Sequence, residues 1–484
     1  MSVDTGVGTK VGVVGGGYAG MAAAVTLAQR GIPVIVFESA KVLGGRARRV
    51  EYQGLPLDNG QHICIGAYRE TLRLIQEVAA TSSLSFPPPT QTFEGRLRRE
   101  SSLGEKLDSR LRGNDDDRVG GGGNGAEGDA SLAGFLRLPL TLAIYPYFQL
   151  KAAALPAPLH LALGLFTAQG VSWRERWAAA RFMLTLRLQH FTLPQDMSVA
   201  ELLRQHHQGG AMTRFLWNPL CYAALNTPPE IASAQVFLNV LRDSLNGSRG
   251  DSELLLSRVD LSALFPEPAA RYVEARGGQV LVSHTVSGIQ KNGAGFTVTA
   301  ADEQFQFSHV ICALPFYRAA EFCRGTDASL GEVAAMIDAL EAQPIYTVYV
   351  QYPEKVDLPF AMLGLDGGYV QWVFDREALC GQRGLVAAVI SAEGLHQQLS
   401  QDALAQKVVD ELRQNFGITA QPLWHQVIAE KRATFACKPD LQRPAQKTPL
   451  ENFYLAGDYT AGDYPATLEG AVRSGVGCAE MIVV

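Results

Sequence analysis

Three glycines near the N-terminus have the spacing of a turn that binds a dinucleotide. Gly15, Gly17 and Gly20 follow a short apolar run at 11–14 and precede an Ala- and Leu-rich segment at 21–30. In such a turn the first glycine permits the sharp bend, the second lets backbone N–H groups approach a pyrophosphate, and the third lets the following helix pack closely. The positive end of that helix then faces the phosphates. The spacing therefore predicts a dinucleotide site, with a glycine turn in an unrelated α/β fold as the alternative.

A carboxylate follows at the distance that this kind of site requires. Glu38 ends a second apolar run, 33–38, and lies 18 residues after Gly20. A carboxylate at this position can accept hydrogen bonds from both hydroxyls of an adenosine ribose. Strand, glycine turn, helix and strand together predict one βαβ unit at the start of the chain.

Polar residues in the next stretch of chain can extend this site toward a flavin ring. Gly44, Gly45 and Arg46 can bring backbone groups and a guanidinium to the same pyrophosphate. The run DNGQH at 58–62 then supplies polar side chains after a glycine-rich turn. These groups could line a flavin, although an ordinary hydrogen-bonded histidine is the alternative for His62.

The C-terminal end carries a second candidate contact with a flavin. The run at 455–458 places Asp458 at the end of a predicted strand, and a helix is predicted to begin near Thr467. Asp458 can hydrogen-bond a ribityl chain, and the amide groups at the helix start can stabilise negative charge on a reduced flavin. A plain helix cap at Thr467 is the alternative. Cofactor residues at both chain ends predict a discontinuous domain.

Composition excludes several classes of protein. Of 484 residues, 47% are hydrophobic and 19% are charged, which is enough apolar material for a sizeable core. The net charge is 42 − 48 = −6, so the chain as a whole does not attract nucleic acid. Seven cysteines without a C-x-x-C pair suggest neither a disulfide framework nor a metal site, and they favour a cytoplasmic protein. The polar N-terminus lacks the apolar region of a secretion signal.

Two segments depart from the rest in composition. Residues 94–130 are mostly charge and glycine, which predicts a flexible insertion in a loop, with a functional lid as the alternative. Residues 132–168 are apolar but are broken by four prolines, and they contain no run of roughly 18 apolar residues that could span a bilayer. A buried helical pair around a cavity is one interpretation of 132–168, and a surface that dips into a bilayer is the other.

Periodicity divides the remaining chain into helical and β-rich parts. Residues 172–250 have mainly helical spacing, whereas 278–314 and 346–391 contain strand-like apolar runs. Further helices are predicted at 402–414 and at about 467–481.

The two ends of the chain resemble the FAD-dependent amine oxidase and phytoene desaturase superfamily. The resemblance rests on VGVVGGGYAGMAAA…VIVFESAKVLGGRARR and on NFYLAGDYTAGDYPATLEGAVRSG. Within this superfamily, residues 58–68, 215–233 and 252–280 look like the hydroxysqualene dehydroxylase family. The resemblance covers most of the chain apart from 94–130.

The resemblance implies a fold and a division into domains. The fold would be α/β: a Rossmann-like FAD-binding domain of the glutathione-reductase type, with an inserted α+β substrate domain as in amine oxidases. The FAD-binding domain would comprise residues 1–93, 251–320 and 426–484. The substrate domain would comprise a mostly helical part at 131–250 and a β-rich part at 321–425, and 94–130 would be the flexible insertion.

The resemblance also implies an activity and partners. Members of the family reduce hydroxysqualene to squalene with loss of water in bacterial hopanoid biosynthesis, using reduced FAD. Because this isoprenoid dissolves in membranes, peripheral contact with the cytoplasmic face of the inner membrane is expected. No nucleic-acid partner is expected, and the sequence does not identify the electron donor.

The expected FAD contacts combine the motifs with the resemblance. Val286 would present backbone to adenine, while Asp458 and the turn at Glu469 would hold the ribityl chain and the flavin. The full set of expected contacts is Gly15, Gly17, Tyr18, Ala19, Gly20, Glu38, Ser39, Gly44, Gly45, Arg46, Asn59, Gly60, Gln61, His62, Val286, Gly457, Asp458, Thr467, Leu468, Glu469 and Ala471. His62 is also the candidate acid or proton relay, with Asp or Tyr groups of the middle region as alternatives.

Three other functions fit the same residues. A carotenoid or phytoene desaturase would transfer hydride in the opposite direction. An amine oxidase would favour an aromatic cage around the amine and would produce peroxide. A non-enzymatic, FAD-stabilised scaffold for terpenoid enzymes would bind flavin that no isoprenoid substrate oxidises or reduces. The product formed under reducing or oxidising conditions distinguishes these functions.

Overall fold

A computed structural model of the chain describes residues 9–81, 134–245 and 247–483. The predicted flexible insertion at 94–130 lies outside the described residues, so that prediction stays untested. The predicted domain boundaries likewise stay predictions.

The strands are short, and most of them contribute to two large sheets. In chain order they are β1 (Val11–Val14), β2 (Val34–Phe37), β3 (Arg49–Tyr52), β4 (Leu55–Asp58), β5 (Ile63–Ile65), β6 (Phe135–Leu138), β7 (Thr141–Ile144), β8 (Phe148–Lys151), β9 (Leu254–Ser257), β10 (Gln279–Leu281), β11 (Val286–Asn292), β12 (Gly295–Ala300), β13 (Glu303–Phe307), β14 (His309–Cys312), β15 (Ala342–Gln351), β16 (Met362–Gly364), β17 (Trp372–Asp375), β18 (Leu385–Ser391), β19 (Trp424–Phe435) and β20 (Phe453–Leu455).

The helices flank these sheets and fill the region between β8 and β9. In chain order they are α1 (Tyr18–Gln29), α2 (Arg69–Thr81), α3 (Leu159–Thr167), α4 (Trp173–Leu188), α5 (Val199–Gln205), α6 (Gly210–Met212), α7 (Asn218–Leu225), α8 (Ala234–Leu245), α9 (Leu261–Leu264), α10 (Pro266–Glu274), α11 (Phe316–Thr326), α12 (Gly331–Asp338), α13 (Arg376–Cys380), α14 (Gln401–Phe416) and α15 (Leu468–Glu480).

A five-stranded parallel sheet contains the predicted βαβ unit. Its order is β10-β2-β1-β14-β20, and every neighbouring pair is parallel. The residues of β1 and β2 are buried, which explains their continuous apolar runs, because helices or other layers cover both faces of such a sheet. The strands come from the beginning, the middle and the end of the chain. The α/β fold predicted from the sequence is confirmed.

Small residues let the first and last helices cross closely beside this sheet. Helix α1 is buried along almost its whole length, and α15 packs against it. A Cβ atom added to Gly475 of α15 would lie 2.0 Å from the carbonyl oxygen of Ala19. The Arg30 guanidinium also donates to the carbonyl groups of Ala479 and Ile482 near the chain end. The two ends of the chain are therefore joined into one layer.

A seven-stranded sheet forms the second layer. Its order is β19-β15-β18-β17-β16-β7-β8, with antiparallel pairs except between β16 and β7. Side chains alternate between its faces, so Trp372 and Phe374 belong to one hydrophobic cluster and Val373 to another. The cluster with Val373 includes Leu404 and Val408 of α14, which covers that face.

Three smaller sheets connect these layers. Strands β11, β12 and β13 form an antiparallel sheet, β3 pairs with β4, and β9 lies between β5 and β6.

The apolar segment at 132–168 differs from one of its two predicted forms, and the other, a surface that dips into a bilayer, stays a prediction. It forms strands β6 to β8 followed by the single helix α3, so the interpretation as a buried helical pair is wrong. Pro139 and Pro146 lie between the strands, and proline interrupts a helix because it lacks a backbone N–H. The short apolar runs that these prolines leave pair in sheets instead. Among the residues that the structure describes, no helix is long and apolar enough to cross a membrane.

Candidate cofactor and active site

One large cavity lies where the parallel sheet meets the seven-stranded sheet. Its volume is about 1050 Å³. Its wall includes the residues that directly follow β1, β2 and β14, such as Gly15, Glu38 and Ala313. In parallel α/β sheets, the crevice at the carboxyl ends of the strands is the usual place for a ligand.

The glycine turn shapes the nucleotide end of this cavity. Gly15 has φ +113°, a conformation that side chains disfavour, and a Cβ atom on Gly20 would lie 1.9 Å from the carbonyl oxygen of Gly15. Helix α1 begins at Tyr18 with Gly17 as its N-cap, and Gly17, Tyr18 and Ala19 all line the cavity. The amide groups of its first turn are therefore available to an anion.

Glu38 is held at the cavity wall by its own surroundings. One carboxylate oxygen accepts the Gly16 N–H at 2.8 Å, and the other accepts the Ala40 N–H at 2.8 Å and the Ser39 hydroxyl at 3.2 Å. A carboxylate has about four acceptor positions and three are used here, so about one remains for a ribose hydroxyl.

Arg46 joins three distant stretches of the chain at the middle of the cavity. Its guanidinium forms an ion pair with Asp458 at 2.6 Å and donates to the carbonyl oxygen of Ala433 at 2.5 Å. Its own carbonyl oxygen accepts from the Asn59 amide, which also donates to Glu430. Burial opposes the charge of Arg46, but the neighbouring Asp458 carboxylate keeps the Arg46 pKa above its ordinary value.

The loop at 58–62 is fixed by Tyr349 of β15. The Tyr349 hydroxyl accepts from the Asp58 N–H at 3.0 Å and from the Gln61 side-chain amide at 2.7 Å, and it donates to the Asp58 carbonyl oxygen at 3.0 Å. Burial raises the pKa of Tyr349, so the hydroxyl stays protonated and keeps both roles.

A buried ion pair beneath this loop was not predicted from the sequence. Arg376 lies 3.3 Å from Asp58 and donates to the Gln61 side-chain oxygen at 3.0 Å, and both charged side chains are 4% exposed or less. Burial raises the pKa of Asp58 to about 6, although Arg376 and the Leu261 N–H both lower it. Asp58 lies in the DNGQH motif, but nothing in the sequence pairs it with a residue 318 positions away.

His62 lies in the cavity wall as a neutral side chain. Its Nδ1 is 3.2 Å from the carbonyl oxygen of Gly60, so Nδ1 carries the proton in the neutral ring and Nε2 is an acceptor. Burial lowers the pKa of His62, and the nearby Arg46 charge adds to this effect. The assignment of His62 as an acid stays a prediction, and this geometry makes it an acid only after Nε2 has gained a proton.

The start of α15 lies where it was predicted, next to the cavity. The Thr467 hydroxyl accepts the Gly470 N–H at 3.1 Å, so Thr467 is a helix cap, and it also lines the cavity together with Leu468 and Ala471. The Glu469 side chain is fully buried and turned away, because it accepts from the N–H and hydroxyl of Thr71 at the start of α2. The Glu469 side chain is therefore occupied by α2, and the predicted contact of the turn at Glu469 with a flavin stays a prediction.

The structure brings nearly all predicted contacts to this one cavity. Gly20 and Glu469 are outside its described lining, and the predicted residues in its wall are Gly15, Gly17, Tyr18, Ala19, Glu38, Ser39, Gly44, Gly45, Arg46, Asn59, Gly60, Gln61, His62, Val286, Gly457, Asp458, Thr467, Leu468 and Ala471. Their roles in binding stay predictions.

Other residues of the wall were missed by sequence reasoning. They are mostly aromatic or apolar and come from α7, α11 and the seven-stranded sheet: Tyr222, Ala223, Ala224, Tyr317, Ile345, Trp372, Phe374 and Val389. Alternation along β17 was the available signal for Trp372 and Phe374. Within the described ranges, no group of three or more His, Cys, Asp or Glu residues could hold a metal ion.

The wall fits FAD in chemical terms. A Cβ atom on Gly17 would meet no atom closer than 3.7 Å, the Cα of Gly45, so the two glycine turns leave an opening between them. The first turn of α1 borders that opening and suits a pyrophosphate, Glu38 suits a ribose, and Arg46 with Asp458 suits the polar chain that leads to a flavin.

Comparison with known proteins assigns this architecture to a family. The family described as flavin containing amine oxidoreductase matches residues 18–483. Hydroxysqualene dehydroxylase of Rhodopseudomonas palustris is 26% identical over 98% of each chain. Zeta-carotene desaturase of Arabidopsis thaliana is 25% identical over 96% of this chain and 84% of its own.

Solved structures share the fold at low sequence identity. Cyclohexylamine oxidase from Brevibacterium oxydans has a TM-score of 0.64 and 16% identity, with 98% of each chain covered. An oxidoreductase from Methanosarcina mazei has a TM-score of 0.66 and 16% identity, with 98% of this chain and 100% of that chain covered. Because the family match spans nearly the whole described chain and the cavity wall suits its cofactor, the protein belongs to the flavin containing amine oxidoreductase family and is an FAD-dependent oxidoreductase.

Proposed function

We propose that this enzyme reductively removes the hydroxyl group of hydroxysqualene and releases squalene. Three relatives named hydroxysqualene dehydroxylase align with 97–98% of this chain at 23–27% identity. The observation that carries the proposal is the contrast between the two ends of the cavity. Polar groups surround the expected FAD position, whereas strands β15 and β17 contribute apolar side chains and the polar side chains of the same sheet lie mostly on β19.

The apolar wall suits a long hydrocarbon. Trp372 and Phe374 of β17, Val389 of β18 and Ile345 of β15 line it together. A charged amine against Ile345 and Val389 would lose its hydration without a partner, and in this part of the wall only the rings of Trp372 and Phe374 and the Glu430 carboxylate could attract it. The acid in this part of the wall, Glu430, already accepts from the Asn59 amide. These contacts favour an isoprenoid over an amine.

The proposed reaction breaks one C–O bond and forms one C–H bond. Reduced FAD, when bound, supplies the hydride, and the hydroxyl leaves as water after gaining one proton. The chain must therefore deliver that proton, hold the substrate carbon against the cofactor and exclude bulk water.

The wall contains His62 and the tyrosines Tyr18, Tyr68, Tyr222 and Tyr317, and we propose His62 and Tyr222 as the candidates that deliver the proton. His62 must first be protonated at Nε2, which its lowered pKa disfavours at neutral pH. The Tyr222 hydroxyl of α7 carries a proton at neutral pH, because the ordinary pKa of tyrosine is about 10 and burial raises this pKa further. We therefore propose Tyr222 as a second candidate for the acid, in addition to His62.

Substitution of each residue separates the two candidates. If Tyr222 is the acid, Tyr222→Phe lowers turnover by at least about 100-fold with FAD still bound, while His62→Gln keeps most activity. If His62 is the acid or relay, His62→Gln lowers turnover by a similar factor, while Tyr222→Phe keeps most activity. Wild-type turnover in the double variant would remove both residues from the mechanism.

The function itself is tested by product analysis. Purified enzyme is incubated anaerobically with hydroxysqualene and a chemical reductant, and squalene is expected by mass spectrometry. Omission of the reductant, or heat treatment of the enzyme, is expected to abolish the product. Absence of squalene while FAD is bound and reduced would contradict the proposal.

A carotenoid desaturase is the second candidate function. Relatives named zeta-carotene desaturase align with 96–98% of this chain at 23–26% identity. The same apolar wall would accept a polyene, but hydride would pass from the substrate to the oxidised cofactor. Conversion of zeta-carotene to a more conjugated product by the oxidised enzyme would favour this function.

The proposed substrate also suggests a location. Because hydroxysqualene dissolves in membranes, we propose that the enzyme is cytoplasmic and works in peripheral contact with the inner membrane. Within the apolar segment at 132–168, strands β7 and β8 pair in the seven-stranded sheet, whereas helix α3 exposes Leu159 and Leu163.

A further inference from the structure

Helix α4 is apolar on two opposite faces. Ala179, Phe182 and Leu186 are buried in the protein. At 3.6 residues per turn, Trp173, Trp177, Leu184 and Leu188 lie within about 60° of one another on the other side of the helix. Their exposed fractions are 57%, 54%, 58% and 73%. Because these side chains remain exposed to water, this second apolar stripe does not contribute to the hydrophobic core.

Helix α3 continues this stripe. Leu159 and Leu163 are 58% and 43% exposed and lie one turn apart. Phe166, one turn further along the same face, contacts both tryptophans of α4, with ring centroids 5.6 and 5.2 Å apart. We call the six exposed residues Leu159, Leu163, Trp173, Trp177, Leu184 and Leu188 the α3–α4 surface. It is continuous, because Phe166 bridges its two halves.

Positive charge surrounds this surface. Between residues 155 and 190 the chain has four arginines and one acid, a net charge of +3, whereas the whole chain has −6. Arg174, Arg181 and Arg187 are exposed and lie at the sides of the α4 stripe. None of these three forms an ion pair within the part of the chain that the structure describes. The acid, Glu175, is turned to the Ser172 and Ala211 amides.

Charge complementarity identifies the occupant of the surface. We propose that the α3–α4 surface docks onto an anionic lipid bilayer, with its tryptophans at the depth of the headgroups and its arginines on lipid phosphates. Tryptophan is enriched at membrane interfaces, and basic side chains are attracted to anionic leaflets. A second copy related by a two-fold axis would place the same arginines against one another, which disfavours a dimer through this face.

The orientation follows from the length of the stripe. From Trp173 to Leu188 it runs about 22 Å along the axis, so α4 would lie in the plane of the membrane and not across it. This inference depends on exposed side chains and on charge, not on the proposed substrate. Membrane binding and hydroxysqualene reduction can therefore fail independently.

Vesicle flotation of the full-length holoenzyme tests the proposal. Wild-type enzyme is expected to float with phosphatidylcholine vesicles that contain phosphatidylglycerol, and only weakly without it. Trp173→Ala with Trp177→Ala is expected to reduce binding by about tenfold or more. Arg181→Glu with Arg187→Glu is expected to reduce it at least as much and to remove the salt dependence.

Matched variants control for exposure and charge. Leu423→Ala and Leu395→Ala remove side chains that are 64% and 69% exposed but lie elsewhere, and Arg271→Glu reverses an exposed charge on α10. All three are expected to bind vesicles as the wild type does. Bound FAD, melting temperature and turnover of detergent-dispersed substrate are expected to be unchanged in every variant.

Three results would overturn the proposal. The first is a wild-type holoenzyme that binds neither type of vesicle. The second is binding that the tryptophan and arginine variants retain. The third is a wild-type dimer that the tryptophan variant converts to a monomer while neither protein binds vesicles, which would make a second copy the occupant.

Discussion

At the scale of single residues, the cavity depends on two ion pairs that work differently. Arg46 with Asp458 lies in the cavity wall, where both groups remain partly open to a ligand. Arg376 with Asp58 lies beneath the wall and positions the loop that carries Gln61 and His62. The first pair should therefore affect cofactor affinity directly, and the second should act through the shape of the loop.

Removal of Asp458 tests the role of the first pair. Asp458→Asn leaves the half-buried Arg46 charge without its partner, so we expect the dissociation constant of FAD to rise by about tenfold or more. The measurement is the fluorescence of FAD titrated with apoenzyme. Arg324→Gln breaks a surface ion pair of comparable length with Asp338 and is expected to leave FAD affinity unchanged. Equal affinity in all three proteins would exclude Asp458 from cofactor binding.

Acid dependence of stability tests the buried state of Asp58. Its pKa of about 6 in the folded chain exceeds the ordinary value near 3.8, so the folded state binds this proton more tightly than the unfolded state does. The stabilisation is complete below pH ~4 and is lost as the pH rises through about 6, a change of up to roughly 3 kcal/mol.

The variant Asp58→Asn lacks this dependence. We therefore expect the wild-type melting temperature, measured relative to that of Asp58→Asn, to fall between pH 4 and pH 6. Calorimetry of both proteins across this range provides the comparison. If the melting temperature of the wild type relative to Asp58→Asn stays constant or rises between pH 4 and pH 6, Arg376 keeps Asp58 ionised over this range.

At the scale of elements, local patterns predicted more than distant pairings did. The βαβ unit was predictable because its glycines, apolar runs and Glu38 are close in sequence, and the structure gives β1, α1 and β2. The apolar segment at 132–168 was not predictable, because short apolar runs between prolines suit strands and helices alike. The pairing of Arg376 with Asp58 depends on contacts between separate sheets, which no local pattern contains.

The crossing of α1 and α15 gives a prediction at this scale. Gly475→Ala places a methyl group against the backbone oxygen of Ala19, so the helices must separate, and we expect a loss of about 2–4 kcal/mol in stability. Gly477→Ala in the same helix meets only the flexible side chain of Gln446 and is expected to be neutral or stabilising. Thermal unfolding distinguishes them, and similar melting temperatures would contradict the close crossing.

At the scale of the whole molecule, distant parts of the chain build one cavity. The parallel sheet draws strands from 11–37, 279–312 and 453–455, and Arg46 connects the first of these parts to β19 and to Asp458. Motifs at both chain ends predicted this discontinuity. The apolar wall was less predictable, because it depends on which face of β17 and β18 meets the FAD-binding part.

This arrangement also explains a high apolar content without a spanning helix in the described chain. Apolar side chains form three hydrophobic clusters, the cavity wall and the exposed α3–α4 surface. The cavity wall would enclose a long hydrocarbon, and the α3–α4 surface would help to collect it from a membrane.

A single-turnover experiment shows directly whether reduced FAD in this enzyme transfers hydride to hydroxysqualene. Enzyme with fully reduced FAD is mixed anaerobically with hydroxysqualene, and flavin absorbance is followed while squalene is measured by mass spectrometry. We predict that oxidised flavin and squalene appear at the same rate and in equal amounts. Two results together would contradict the proposed function. In the first, the flavin stays reduced in the presence of hydroxysqualene. In the second, zeta-carotene reduces the flavin of the oxidised enzyme.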